Sequence, residues 1–356
     1  MRASVQFPLP LLLGLLAAAR ADSSASRFNL SLDEPPSRRW EPLLRKYDVA
    51  QLRKDMLHVV RSVAPEWVIQ VVNQLAPLLS HILPEAYEEE IKGISKFLGV
   101  ELGEGLLINL AYEVSGYCTS IVAQDSRGKI YHGRNMDYAF TDILRSVTVD
   151  LQFVKKGQIV YTGTTFIGFV GLWTGQKPNK FSISGNERAK GNWWETAIAA
   201  LLKRNPSPSW LIRDTLAEAV DFDGALKKLA YTPITANVYF ILGGVNPNEG
   251  MIITRSLEGP MDIWPLMSTK GQWYRVETNY DHWNAPPPWD DRRTPANHAL
   301  NATTQKKINL KTMFKMPLDS LSSSSRLLVD GNSGAVVNNS VFYLLSVSRD
   351  HFSVRL

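Results

Sequence analysis

The chain reads as an α+β protein built in layers, and three observations carry that reading. Residues 22–117 keep a helical hydrophobic period almost throughout, so this part is expected to be nearly all α. After Cys118 the texture changes to short apolar or alternating runs separated by turn residues. Helical stretches among those runs are grouped and do not alternate strictly with strands, which argues against a doubly wound sheet. Across residues 40–63, Leu43, Tyr47, Leu52, Met56, Val59, Val60 and Val63 recur near helical spacing, giving an amphipathic helix or a broken pair. Residues 65–83 open with Pro65 at a first-turn position and carry Trp67, Val71, Leu75, Leu78, Leu79 and Ile82 on one side, with a kink expected at Pro77. That stripe reads either as core or as a face that meets a membrane. Residues 85–98 and 104–114 continue the helical pattern. Strands are expected at 119–123, 129–131, 147–154, 158–165, 238–242, 251–254, 341–347 and 352–356, and helices at 193–202, 208–219 and 222–229. Residues 283–295, with Pro286-Pro287-Pro288, read as a stiff extended loop.

Composition narrows the function. With 356 residues, 44% apolar and 21% charged, the chain can bury a large core and is no disordered tail. Its net charge of +5 is scattered in single residues and pairs, without the basic stripe or reader motif of a nucleic-acid binder. Met1-Arg2, an apolar run over residues 7–18 and Ala19-Arg20-Ala21 form a secretory-signal pattern, so residues 1–21 are expected to be removed. Sequons at Asn29, Asn301 and Asn338 fit the same route. The single cysteine, Cys118, excludes an intramolecular disulfide and any cysteine-based zinc site. What remains is a packing residue, an intermolecular link or a nucleophile. The six histidines show no metal spacing, and no phosphate or dinucleotide fingerprint is present, so neither metal nor cofactor is expected.

A hairpin closing on the four residues Asp125-Ser126-Arg127-Gly128 would set Gln124 opposite Lys129 and Cys118 opposite Asn135. Arg134 and Asp137 would then stand near the thiol, within the roughly 5–8 Å that cross-strand neighbours span. A guanidinium there favours the thiolate and a carboxylate can hold an amine. The plainer reading, a buried strand cysteine beside an ion pair, stays open at this point.

Four ordered motifs reach further: Cys118-Thr119-Ser120-Ile121-Val122-Ala123; Gly133-Arg134-Asn135-Met136-Asp137-Tyr138; Thr278-Asn279-Tyr280-Asp281-His282-Trp283; and Asp290-Asp291-Arg292-Arg293-Thr294-Pro295. Together they resemble the acid ceramidase and N-acylethanolamine acid amidase group of cysteine N-terminal-nucleophile hydrolases, with choloylglycine hydrolases and penicillin V acylases as more distant relatives. The resemblance implies a four-layer αββα sandwich with a mostly helical N-terminal α-chain. It also implies a precursor cut between Tyr117 and Cys118 into an α-chain of residues 22–117 and a catalytic β-chain of residues 118–356. By the same carry-over, Cys118 is nucleophile and, through its freed amine, base; Asp137 holds that amine; Arg134 binds substrate or a carboxylate near the thiol; Asn279 serves the oxyanion. Arg292 would fix the site's carboxylates, and Glu187 would contact the substrate amide or restrain the precursor. The implied substrate is a lipid amide such as palmitoylethanolamide, hydrolysed in the lysosome lumen with peripheral contact to its membrane. Ceramide is the alternative, although acid ceramidases carry additional cysteines and an inter-chain disulfide that this chain lacks. A non-enzymatic secreted lipid-binding glycoprotein is the reading from another class.

Overall fold

The helical period of the N-terminal part resolves into α1 (Glu41–Leu44), α2 (Val49–Val63), α3 (Glu66–Ser80), α4 (Glu85–Leu98) and α5 (Leu102–Ala111) in a computed structural model. The structure describes residues 25–80, 83–111, 116–138, 141–188, 205–314, 340–345 and 352–355, so the signal pattern, the helix expected at 193–202 and Asn338 lie outside the described residues. The broken pair is set by Asp48, whose side chain accepts from Ala50 N at 2.9 Å and Gln51 N at 3.1 Å and so starts α2 afresh. α4 ends on Gly99, whose φ of 66° lies in the left-handed region that glycine adopts without strain. α3 continues through Pro77, which stands in its last turn.

The expectation of a nearly all-α residue 22–117 segment is corrected by β1 (Ser26–Ser31), which pairs in parallel with β4 (Thr148–Lys155). β1 is the outermost strand of its sheet and is mostly exposed, so its sequence shows no strong apolar alternation. Among the described residues, eight strands run in the order β1, β4, β5 (Gln158–Phe166), β6 (Thr174–Lys177), β7 (Phe181–Glu187), β8 (Val238–Gly243), β9 (Gly250–Arg255) and β10 (Pro260–Pro265). Five more run in the order β11 (Tyr274–Glu277), β2 (Gly116–Gln124), β3 (Ile130–Tyr138), β12 (Ser340–Leu345) and β13 (Phe352–Arg355). β6, β7, β10 and β11 are further strands the pattern did not show, and α6 (Thr141–Val147), between β3 and β4, is a further helix.

Alternation along β2 and β3 explains the layering. Ile121, Ala123 and Tyr131 pack outward with Ala296, Leu300 and Met313 of α9 (Arg293–Thr303) and α10 (Leu310–Phe314). Val122 and Ile130 point the other way and meet Tyr239, Ile241 and Ile252 of the larger sheet. Beyond that sheet, Met56 and Ile108 of the N-terminal helices join Phe153, Leu211 and Leu229 in the main core, with α7 (Pro208–Glu218) and α8 (Phe222–Tyr231) on the same side. The result is helix, sheet, sheet, helix, the expected αββα order. α9 takes the last three residues of the segment read as a loop, because the extended chain ends before Arg293.

Candidate active site

The β2–β3 hairpin closes differently from the expected four-residue turn. Asp125 accepts from Arg127 N and Lys129 N, each at 2.9 Å, and Asp125 N donates to Lys129 O at 2.9 Å, so the loop takes five residues. Gly128 adopts a φ of 89° within it. The register moves by one, placing Cys118 opposite Met136 and Ser120 opposite Arg134. That shift decides the site: residues that oppose each other share a face, so Cys118, Ser120 and Arg134 all point into the space between the sheets.

Arg134 is buried, 1% exposed, and its two Nη groups meet four acceptors. Its Nη2 donates to Cys118 Sγ at 2.9 Å and to Gly185 O at 2.7 Å. Its Nη1 donates to Trp173 O at 3.0 Å and to Thr174 Oγ1 at 2.7 Å. β6 and β7 therefore lock a cation on the sulfur, an arrangement that favours the thiolate.

The backbone of Cys118 is held from the side of β11 and the proline-rich segment. Cys118 N donates to Asn279 Oδ1 at 2.8 Å, while Asn279 Nδ2 donates to Glu187 O at 2.8 Å. Arg292 donates to the Cys118 carbonyl, to Thr119 Oγ1 at 3.2 Å and to Asn279 Oδ1 at 2.8 Å. Asp290 grips the same guanidinium with both oxygens, at 2.6 and 2.7 Å. The Tyr117 ring lies under Arg292, 5.5 Å from its Cζ, and is 42% exposed, whereas Cys118 is 3% exposed.

The structure thus brings Cys118, Arg134, Asn279, Arg292 and the Glu187 backbone together. Asp137 pairs with Tyr117 across the ladder, and its side chain lies outside the described residues. Glycosylation candidates Asn29 and Asn301 are exposed. Asp290, Thr174 and Asn186 were missed as site residues; Asp290 stood in the fourth motif and could have been paired with Arg292, whereas Thr174 lies on a strand without apolar residues and Asn186 at the polar end of a strand whose only apolar alternation is Phe181 and Ile183. His282 is stacked on Trp264 with ring centres 3.9 Å apart, a structural placement.

A thiol on an inner strand of a β-sandwich, with sulfur, nitrogen and carbonyl each held by a separate group, defines a cysteine hydrolase of the N-terminal-nucleophile type. Two family models match: the linear amide C–N hydrolases of the choloylglycine hydrolase family over residues 118–316, and the beta subunit of N-acylethanolamine-hydrolyzing acid amidase over residues 23–81. The chain is 55% identical to the N-acylethanolamine-hydrolyzing acid amidase of Oryctolagus cuniculus, over 81% of this chain and 80% of that one. The Rattus norvegicus amidase is 53% identical over 84% and 82%. Acid ceramidase of Homo sapiens is 36% identical over 81% and 78%. Among solved structures, the Caenorhabditis elegans N-acylethanolamine-hydrolyzing acid amidase ortholog matches with a TM-score of 0.55 and 31% identity, covering 66% of this chain and 95% of that one. The chain belongs to the N-acylethanolamine-hydrolyzing acid amidase family, within the linear amide C–N hydrolases.

Proposed function

We propose that this chain is a self-activating cysteine amidase that hydrolyses N-acylethanolamines to fatty acid and ethanolamine after cleavage of Tyr117–Cys118. The observation that carries the reading is the hold on Cys118, with Arg134 on Sγ, Asn279 on the nitrogen and Arg292 on the carbonyl. In the precursor the thiolate adds to the Tyr117 carbonyl, the acyl group passes from nitrogen to sulfur, and water releases the Tyr117 carboxylate. Cys118 then starts a new chain, and its α-amine, with an ordinary pKa of about 7.7–8.0, takes up the proton of the thiol. Asp137 holds that amine and Asn279 Oδ1 accepts from it.

With substrate bound, Cys118 Sγ attacks the amide carbon and the charge develops on the carbonyl oxygen. Asn279 carries a second amide N–H for this oxyanion beside the one given to Glu187 O. As the intermediate collapses, the Cys118 ammonium gives its proton to the departing nitrogen, the C–N bond breaks to release ethanolamine, and water then hydrolyses the thioester to the fatty acid. Arg292, fixed by Asp290, keeps Asn279 and the Cys118 carbonyl in register, and Glu187 contacts the substrate amide. Identity of 53–55% to the amidases against 36% to acid ceramidases favours ethanolamides over ceramide.

The setting is the lysosome lumen with peripheral membrane contact. Support comes from α3, where Trp67, Val71, Leu75 and Leu78 are exposed while Val68, Ile69, Val72 and Ala76 face the core; the Leu79 side chain and Ile82 lie outside the described residues. Among the described residues no helix is long and apolar enough to cross a membrane. Intact mass after incubation at acidic pH tests the activation: two chains starting at residues 22 and 118 are expected, and one uncut chain for Cys118→Ala. A wild type that stays uncut refutes it. Flotation of the processed protein with anionic liposomes, lost in Trp67→Ser/Leu78→Ser, tests the membrane face; binding unchanged by the double substitution removes α3 from that role.

A further inference from the structure

The amide of Asn186 joins three strand segments, each ending within two residues of an atom the reaction needs. Asn186 is fully buried on β7. Its Oδ1 accepts from Ser120 Oγ at 2.8 Å, two residues along β2 from Cys118. Its Nδ2 donates to Glu277 O at 3.1 Å and to Thr278 O at 3.0 Å, the two carbonyls that precede Asn279. Its own neighbour, Glu187, supplies the carbonyl that takes Asn279 Nδ2–H. Both N–H groups and the carbonyl of this one side chain are in use, each toward a different part of the site.

We propose that Asn186 is a positioning residue that sets the Asn279 amide against Cys118, an inference that rests on the amidase reading and on Asn279 as the oxyanion donor. The segment from Glu277 to Asn279 leaves the sheet edge at β11, where regular pairing with β2 stops at Glu277 opposite Ser120. Asn186 holds the carbonyl of Glu277, the last residue the ladder pairs, and that of Thr278, the first beyond it, and so carries the fixed geometry of the sheet edge on towards Asn279. Ser120 orients the amide by filling its oxygen, so the nucleophile strand and the Asn279 segment share one reference. An amide donor displaced by a fraction of an ångström loses most of its value to a developing oxyanion while ground-state binding is hardly touched.

The test uses the processed enzyme, with rates normalised to titrated thiol. A fatty aldehyde and the alcohol of equal chain length serve as probes. Addition of Cys118 sulfur to the aldehyde carbon forms a C–S bond and moves the carbonyl π pair onto oxygen, creating the anion that Asn279 serves, whereas the alcohol reports ground-state binding. In the wild type the aldehyde is expected to bind at least about a hundredfold more tightly than the alcohol. Asn186→Ala is expected to lower kcat between roughly tenfold and a hundredfold, with KM and alcohol affinity near wild type and aldehyde affinity falling with kcat. Unchanged kcat and aldehyde preference in folded, processed Asn186→Ala overturn the proposal. A wild type that neither hydrolyses the ethanolamide nor prefers the aldehyde overturns the amidase reading instead. If Asn186→Ala does not accumulate as folded protein, Ser120→Ala decides: a smaller loss of aldehyde preference supports the proposal, and an unaltered preference refutes it.

Discussion

Arg134 shows how much one side chain can settle. Its guanidinium meets four acceptors in fixed directions: the Cys118 sulfur, two backbone carbonyls and the Thr174 hydroxyl. A lysine carries the charge but not the planar fork, so it can serve the sulfur or the carbonyls, not all of them. Arg134→Lys is expected to lower kcat by about a hundredfold, the scale of losing a preorganised electrostatic partner. Self-cleavage should slow in step, because both reactions use the same thiolate. Stopped-time mass spectra of the precursor and turnover of palmitoylethanolamide check the two effects; full activity in the lysine variant would take the guanidinium out of the chemistry. Arg134 and Cys118 were legible as a pair from sequence, yet the expected register set them on opposite faces. The error came from Asp125, whose two backbone acceptances lengthen the loop by one residue, a side-chain effect that strand patterning does not contain.

At the scale of elements, what could be read follows what lies between layers. α4 shows its full bounds because one face is apolar and a glycine ends it, and β5 and β8 show theirs to within one residue at the C-terminal end, β8 as an apolar run and β5 as an apolar start followed by threonines. β7 carries only a short signal, Phe181 and Ile183 alternating with serines, because Ser182, Ser184 and Asn186 face β2 and β3 through hydrogen bonds and not through hydrocarbon. His132, bridging Ser182 and Ser184, is pushed down to about 3 by burial and then by Arg134, so it is neutral. Glu277 of β11 is its opposite: burial pushes its carboxyl up to about 8, against the pull of Thr278 N–H, Arg293 and Arg188, with Asp281 adding to the rise. A carboxyl raised from 4.5 to about 8 holds its proton more tightly folded than unfolded, so its contribution to stability is whole below 4.5 and lost as pH rises to 8. The His132 share runs the other way and is lost only as pH falls from 6.5 towards 3, and Asp150, raised to about 6 by burial, is spent by then. Glu277 is therefore expected to lower Tm between pH 6.5 and 8, and Glu277→Gln should lessen that fall. Thermal unfolding across that interval is the measurement; an undiminished slope in the glutamine variant would assign it elsewhere.

For the whole molecule, the question raised by a cut at Tyr117–Cys118 is what keeps the two products together. Ten basic against fourteen acidic residues in 22–117 leave that part at −4, opposite in sign to the remainder, but surface charge of this kind is screened by salt. The stronger ties are internal. β1 is hydrogen-bonded along β4, and Asn109 donates to Gly168 O at 3.1 Å and accepts from Val170 N at 2.8 Å. Tyr87 stacks on Trp210 with ring centres 5.1 Å apart. At the centre Glu90, fully buried, takes both Nη groups of Arg213 at 2.7 Å, the Trp40 indole N–H at 2.7 Å and a donation from Arg39. Burial pushes the Glu90 carboxyl up, yet Arg213 and Arg39 together hold it below its ordinary value. Removing the carboxylate leaves Arg213 buried, 3% exposed, with no counter-charge, a loss that costs about 3–5 kcal/mol in such pairs. The cleaved protein is accordingly expected to run as one particle of the precursor's mass in size exclusion with light scattering, and to do so in molar salt. Glu90→Ala should lower the denaturation midpoint sharply in both forms but separate the products only after cleavage, because in the precursor the peptide bond still joins them. Dissociation of the wild-type products by salt alone would mean that the surface charges, and not the Glu90–Arg213 core, hold the pair.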